Sequence, residues 1–210
     1  MSPSLNIVSS SHLVSERSAE LSEFEFGLMV VSNAFNRWMV RCMAAAGEKD
    51  MTAMDVALLH HVNHLGRKKK LADICFVLNI EDTHVVSYAL KKLVRAGHVA
   101  SEKIGKEVLF STTPAGTALC ERYREVRERC LIGALVESGA SNAEIGNTAQ
   151  LLRVLSGLYD QAARAGASLC GCCCSGARKK GRRRGPAGGA TGRRQRRRVA
   201  RMRPVHGWGR

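Results

Sequence analysis

Three histidines stand together in the stretch HHVNH, at His60, His61 and His64. His60 and His64 are four residues apart, so a helix places both imidazoles on one face, at a spacing that suits a divalent metal. A complete site needs a third and a fourth ligand, and spacing identifies none. The plainer reading is of structural or solvated histidines on a helix. The cysteines raise a similar question. In CGCCC, residues 170–174, adjacent thiolates cannot easily share one tetrahedral ion, and no paired C-x-x-C is present elsewhere. Cys42, Cys75, Cys120 and Cys130 fall on the apolar stripes of predicted helices, which implies buried, reduced thiols rather than redox sensors. No nucleophile–base pair, paired-carboxylate motif or phosphate-cradling glycine loop stands out, so an enzyme is not expected and no cofactor is implied.

A second constellation lies in LADICFVLNI and THVVSYALKKLVRAGHV. Leu71, Ile74, Cys75 and Leu78 predict a short helix, and NIED at 79–82 a tight turn. Asp82 is positioned to cap a second helix whose inner face is Val86, Leu90 and Leu93. That is a helix-turn-helix. Its outer face carries Thr83, His84, Ser87, Tyr88 and Lys91, side chains able to meet the donors and acceptors of base edges in a major groove. Lys91, Lys92 and Arg95 can meet phosphates. Residues 98–113 switch to a β-branched pattern around Gly105 and predict a hairpin, with Lys103 and Lys106 placed to reach a DNA backbone.

These segments need supporting elements. Ser22 and Glu25 form a capping-box pattern ahead of an apolar stripe running Phe24, Leu28, Val31, Phe35, Trp38, Cys42, Ala45, with Gly47 as its stop. Thr52 and Asp55 repeat the pattern before Val56, Leu59, Val62 and Leu65. After the hairpin, Thr113-Pro114 opens a helix striped by Leu119, Tyr123, Val126, Cys130 and Ala134. Ser141 and Glu144 then cap a last helix, lined by Ile145, Leu152, Leu155 and Tyr159 and fading near Ala165. A long one-faced stripe before any other core element points to packing on another subunit or on distant helices. The expected fold is mainly α with a small β-hairpin: a winged helix-turn-helix flanked by long helices.

The order of elements, and above all LADICFVLNIEDTHVVSYALKKLVRAGHV and VLFSTTPAG, resembles the MarR family of winged-helix transcription regulators over roughly residues 22–165. The resemblance implies a homodimer on double-stranded DNA, one recognition helix (about 83–96) per half-site, repression of transcription, and a small-molecule effector. Its recognition face falls on Thr83, His84, Ser87, Tyr88 and Lys91. It divides the chain into an N-terminal segment 1–20, a domain 21–166 with its DNA-binding lobe at about 51–113 and dimerisation helices at about 22–46 and 114–165, and a tail 167–210. Two features depart from the family pattern. The hairpin tip is KIGKE, and Tyr88 stands where an arginine is frequent. The alternatives are a winged-helix protein–protein adaptor without specific DNA binding, and a metal-responsive regulator using His60 and His64.

Charge needs to be apportioned before it supports any of this. The formal net charge is +15, but residues 170–210 hold 14 Lys and Arg and no Asp or Glu, leaving 19 bases against all 18 acids in the remainder. The body is therefore nearly neutral, and its case for nucleic acid rests on local features. In residues 171–210, Gly, Ala, Arg and Pro make up 27 of 40 positions, with no Leu, Ile, Phe or Tyr to build a core. That composition predicts disorder. It fits either a non-specific basic arm or an out-of-frame reading of GC-rich DNA, since all four residues can be encoded with G and C alone. No run of 18 apolar residues and no secretory pattern is visible, so no membrane partner is expected and the setting is read as cytoplasmic.

Overall fold

The computed structural model describes residues 11–175, and the basic tail from residue 176 onward lies outside them. Its elements in chain order are α1 (Ala19–Ala45), α2 (Ala53–Asn63), β1 (Lys69–Lys70), α3 (Leu71–Val77), α4 (Thr83–Arg95), β2 (Val99–Ile104), β3 (Glu107–Thr112), α5 (Pro114–Arg127), α6 (Gly133–Glu137) and α7 (Asn142–Ser175). They fall into two units, one ending at Ile145 and one beginning at Gly146.

In the first unit α2 is the central element, packing against α1, α4 and α5. Val56, Leu58, Leu59 and Val62 of α2 are buried against Met39, Cys42 and Met43 of α1, Val86, Leu90 and Leu93 of α4, and Leu119 of α5. Each fully buried aliphatic side chain of this kind contributes roughly 1.5–3 kcal/mol. The start of α2 is a complete capping box. The Thr52 amide donates to Asp55 Oδ2 at 2.8 Å, and the Asp55 amide donates to Thr52 Oγ1 at 3.2 Å. The predicted capping box at Ser22 does not form. The helix starts earlier, at Ala19, and Ser22 is buried within it, its hydroxyl donating to the Leu13 carbonyl at 2.6 Å. A backbone carbonyl of the preceding segment has claimed the cap hydroxyl.

Three helices end in the same way. After α1, the Glu48 amide reaches the Met43 carbonyl and Gly47 reaches Ala44; after α4, His98 reaches Leu93 and Gly97 reaches Val94. After α3, Ile80 reaches Cys75 and Asn79 reaches Phe76, with Asn79 at φ 52° in place of glycine. These are Schellman ends, and asparagine is among the few residues that tolerate the left-handed position.

The end of α2 departs from expectation. Leu65 is not the next residue of the inner stripe: it is 68% exposed and sits at φ 63° in a 3₁₀ turn over His64–Gly66. Lys69 holds that turn, its buried ammonium donating to the carbonyls of Val62 (3.0 Å) and His64. A cation on the last carbonyls of a helix satisfies acceptors that have no partner within it. Burial and the neighbouring Arg67 lower the Lys69 pKa. The run RKKK is therefore not merely a solvated charge cluster. Lys69 and Lys70 form β1, and alternation buries Lys69 while Lys70 stays outside.

The sheet has three strands rather than the two expected, in the order β1-β3-β2, all antiparallel. Lys69 pairs with Phe110, and Ile104 pairs with Glu107 across the two-residue turn Gly105-Lys106. Gly105 takes φ 62°, as the first central residue of a type II′ turn requires.

The stripe expected along a single helix from Pro114 is interrupted. A π-helical turn at Glu128–Ile132 separates α5 from α6. The wider turn inserts extra backbone, so the 3–4 spacing no longer carries across it: Leu119 and Tyr123 before it are buried, while Cys130 within it and Ala134 beyond it are exposed. Cys130 is thus not a core thiol. The last helix, α7, runs to Ser175, past the expected end near Ala165, and in the second unit Leu151, Leu152, Val154, Leu158 and Tyr159 are all exposed along it.

Candidate nucleic-acid interface

The outer face of α4 is built by three devices. Asp82 caps the helix, its Oδ1 accepting from the amides of His84 at 2.9 Å and Val85 at 3.4 Å. Val86, Ala89, Leu90 and Leu93 are buried and hold the opposite face on α2 and α3. The turn through Asn79 sets the angle of arrival. The consequence is that Thr83, His84, Tyr88 and Lys91 are exposed and Ser87 is half-buried, all in the first turns of the helix. Tyr88 is 67% exposed. Val85, on the flank of the buried stripe one turn before Ala89, is also exposed, offering methyl groups beside the hydrogen-bonding side chains.

Beside this face the wing forms a cleft of about 690 Å³, lined by Leu71, Ser87, Lys91, Arg95, Val108 and Phe110 among others. Among the described residues, Lys91, Arg95, Lys103 and Lys106 have no carboxylate partner, so their charges are available. Lys103 and Lys106 lie exposed on the hairpin. The flanking lysines are already paired, Lys68 with Glu102 and Lys70 with Glu107, the latter at 2.8 Å. The hydrogen bond from Lys70 to Glu107 raises its pKa.

Lys92 is the exception among the residues read as DNA contacts. It turns away from the outer face, and its ammonium donates to Asp55 Oδ2 at 2.6 Å and to the Asp50 carbonyl. The structure therefore groups Thr83, His84, Ser87, Tyr88 and Lys91 on one helix face, places Lys103 and Lys106 on the adjoining wing, and separates Lys92 from both. Arg95, on the cleft wall, belongs with the available cations.

The histidines are separated as well. His60 borders a cavity of about 430 Å³ with Asn63, Thr117, Cys120, Tyr123 and Arg124. Its ring meets Tyr123 edge-on at 4.4 Å, and burial lowers its pKa. His64 closes α2 with non-helical backbone and lines a different cavity with His61, Lys69 and Asp73. Among the described residues no three His, Cys, Asp or Glu side chains come together to hold a metal. Cys42 and Cys120 are buried and burial raises both thiols, Cys120 to about 11, which opposes thiolate chemistry. The CGCCC cysteines carry no described side chains.

The geometry is that of a winged helix, and residues 51–116 match the family model described as winged helix DNA-binding domain. The wider fold, with helices before and after this domain, is shared with MarR-family transcription regulators. A solved MarR family transcription regulator superposes with a TM-score of 0.55 at 16% identity, over 70% of this chain and 95% of that one. A mutant MarR from E. coli, complexed with operator DNA, gives 0.54 at 19% identity, over 67% and 99%. A MarR-family regulator from Rhodococcus sp. RHA1 gives 0.53 at 11% identity, over 62% and 89%. No curated protein matches the sequence.

Proposed function

We propose that this chain is a sequence-specific DNA-binding transcription regulator, acting as a homodimeric repressor with α4 in the major groove. The observation that carries the reading is the two-sided character of α4. Four core residues fix one face, while Thr83, His84, Ser87, Tyr88 and Lys91 occupy the first turns of the other with no competing structural task for Lys91. Lys91, Arg95, Lys103 and Lys106 surround that face with unpaired positive charge, which suits phosphates on either side of a groove. The MarR in complex with operator DNA supports the same use of the fold.

The dimer reading rests on exposed apolar residues. On α1, Met29, Val30, Val31 and Phe35 are each more than half exposed. Considered by itself, α7 shows Leu151, Leu152, Val154 and Leu158. Stripes of this size on long helices are unusual unless a partner covers them. Two α4 helices brought one helical turn apart would then read a pseudo-palindromic operator. A small-molecule effector that weakens binding completes the reading, and a cytoplasmic setting goes with it. No helix among the described residues is long and apolar enough to cross a membrane.

Selection of duplexes from a random pool on the full chain, followed by titration at several salt concentrations, tests the proposal. Enrichment of an inverted repeat with half-sites about 10 bp apart is expected. Binding to all duplexes alike would reduce the protein to a non-specific binder. The adaptor reading draws on one observation: Phe76 and Val77, at the end of α3, are 86% and 61% exposed. It predicts no selected sequence at all.

A further inference from the structure

The charged side chain that sequence spacing assigned to phosphate, Lys92, has a better-defined partner inside the protein. We propose that Lys92 is a positioning residue that fixes the rotation of α4, and so determines sequence discrimination, without touching DNA. This rests on the DNA-binding reading above.

The side chain of Asp55 is only 3% exposed. A carboxylate so buried is costly unless it is fully paired. Here Oδ2 accepts from the Thr52 amide at 2.8 Å and from Lys92 Nζ at 2.6 Å, at the positive end of α2. Lys92 also donates to the Asp50 carbonyl. One ammonium thus ties α4 to both the cap of α2 and the loop that leads into it.

The buried residues of α4 are apolar: Val86, Ala89, Leu90 and Leu93. Such contacts are largely non-directional and tolerate a small roll of the helix. A charge-assisted hydrogen bond is directional and weakens steeply with angle and distance. The roll matters because a helix with its side chains is about 10–12 Å across, so a turn of about 20° carries a side-chain tip by about 2 Å. That displacement breaks hydrogen bonds between Ser87 or Tyr88 and a base edge. Long lysines on phosphates absorb it. Removing Lys92 therefore degrades discrimination rather than overall electrostatic attraction.

The test compares the full-length wild type with Lys92→Met, which keeps most of the apolar stem, and with Lys92→Arg, which keeps a cation for Asp55. Affinity is measured across a salt series for the duplex selected on the wild type and for a random duplex. The ratio of selected to random affinity is expected to fall about tenfold in Lys92→Met, the scale of one mismatched base pair, with the salt slope unchanged. Lys92→Arg retains most of the ratio. A salt slope lower by about one, with both affinities falling together, overturns the proposal, because that is how a lost phosphate contact behaves. If Lys92→Met leaves Asp55 too poorly paired to fold, Asp55→Asn with Lys92→Met removes both charges and is expected to give the same loss of ratio. Amide hydrogen exchange separates the two readings. Failure of the wild type to select any duplex sinks the DNA-binding reading. The anchoring of α4 then stands only if Lys92→Met speeds exchange within Thr83–Arg95 and not within Pro114–Arg127.

Discussion

Replacing Gly116 with alanine should destabilise this protein, although the same change inside an ordinary exposed helix stabilises it. Gly116 lies in the first turn of α5, where the helix crosses the chain leaving α4. A Cβ built on it would stand 2.1 Å from the His98 carbonyl oxygen and 2.8 Å from Thr112 Cγ2. Contacts under 3.0 Å essentially never occur for a real Cβ, so the two backbones must separate by about 0.9 Å. Neither can move freely. The His98 carbonyl accepts the Thr113 amide at 3.1 Å, Thr113 Oγ1 donates to the Gly97 carbonyl at 2.6 Å, and the Gly116 amide donates to Thr113 Oγ1 at 3.1 Å. Overpacking of this kind costs about 1–3 kcal/mol, and weakening the Thr113 cap adds about 1. The better helix propensity of alanine returns about 1. The net expectation is a loss of about 1–3 kcal/mol, read as a lower urea midpoint at constant m-value. DNA affinity should fall too, since the displaced segment joins the recognition helix to the wing. A midpoint that rises, as for an unobstructed helical glycine, would refute the close approach of α5 to the chain leaving α4.

The same geometry sets four further outcomes. Lys91→Ala and Arg95→Ala should each lower the salt slope of DNA binding by about one, while Ser87→Ala and Tyr88→Ala should change which duplex is selected. Asp82→Ala removes the cap of α4 and should cost about 1 kcal/mol in urea unfolding, with operator affinity falling alongside. Burial holds the His60 imidazole below its ordinary 6.5, so the unfolded chain takes up a proton that the folded chain resists. Stability is therefore full above 6.5 and is lost as pH falls from there through the folded value. His60→Phe, which can still face Tyr123, should flatten that acid-side loss in unfolding curves between about pH 5 and 7. Phe35→Asp, on the exposed half of the α1 stripe, should shift sedimentation toward the monomer.

The legible parts of this protein were local. Thr52-Asp55, Asp82 and Thr113-Pro114 announce helix starts because a short polar side chain can satisfy only amides two or three residues away. Gly47, Gly97 and Gly105 announce reversals because few other residues accept positive φ. The spacing of Val86, Leu90 and Leu93 settled which face of α4 is buried, and hence which residues could meet DNA. All of this depends on neighbours within one turn, so it could be read along the chain.

The features that could not be read there depended on partners far away in sequence. Lys92 sits 37 residues from Asp55, and nothing in KKL distinguishes the lysine that faces solvent from the one that seeks a buried carboxylate. Lys69 in RKKK looks like its neighbours, yet it alone reaches the open carbonyls at the end of α2. Ser22 carried a proper capping pattern, but the helix begins a turn earlier and its hydroxyl bonds to the Leu13 carbonyl instead. A π-helical turn, with Cys130 exposed inside it, interrupted a stripe that periodicity had continued. Composition and periodicity determined the elements and which face of α4 is left outside, the face proposed to read DNA. Only the tertiary structure decided which charges are already paired and which remain free, because a charge is assigned by the nearest group that can pair with it in space.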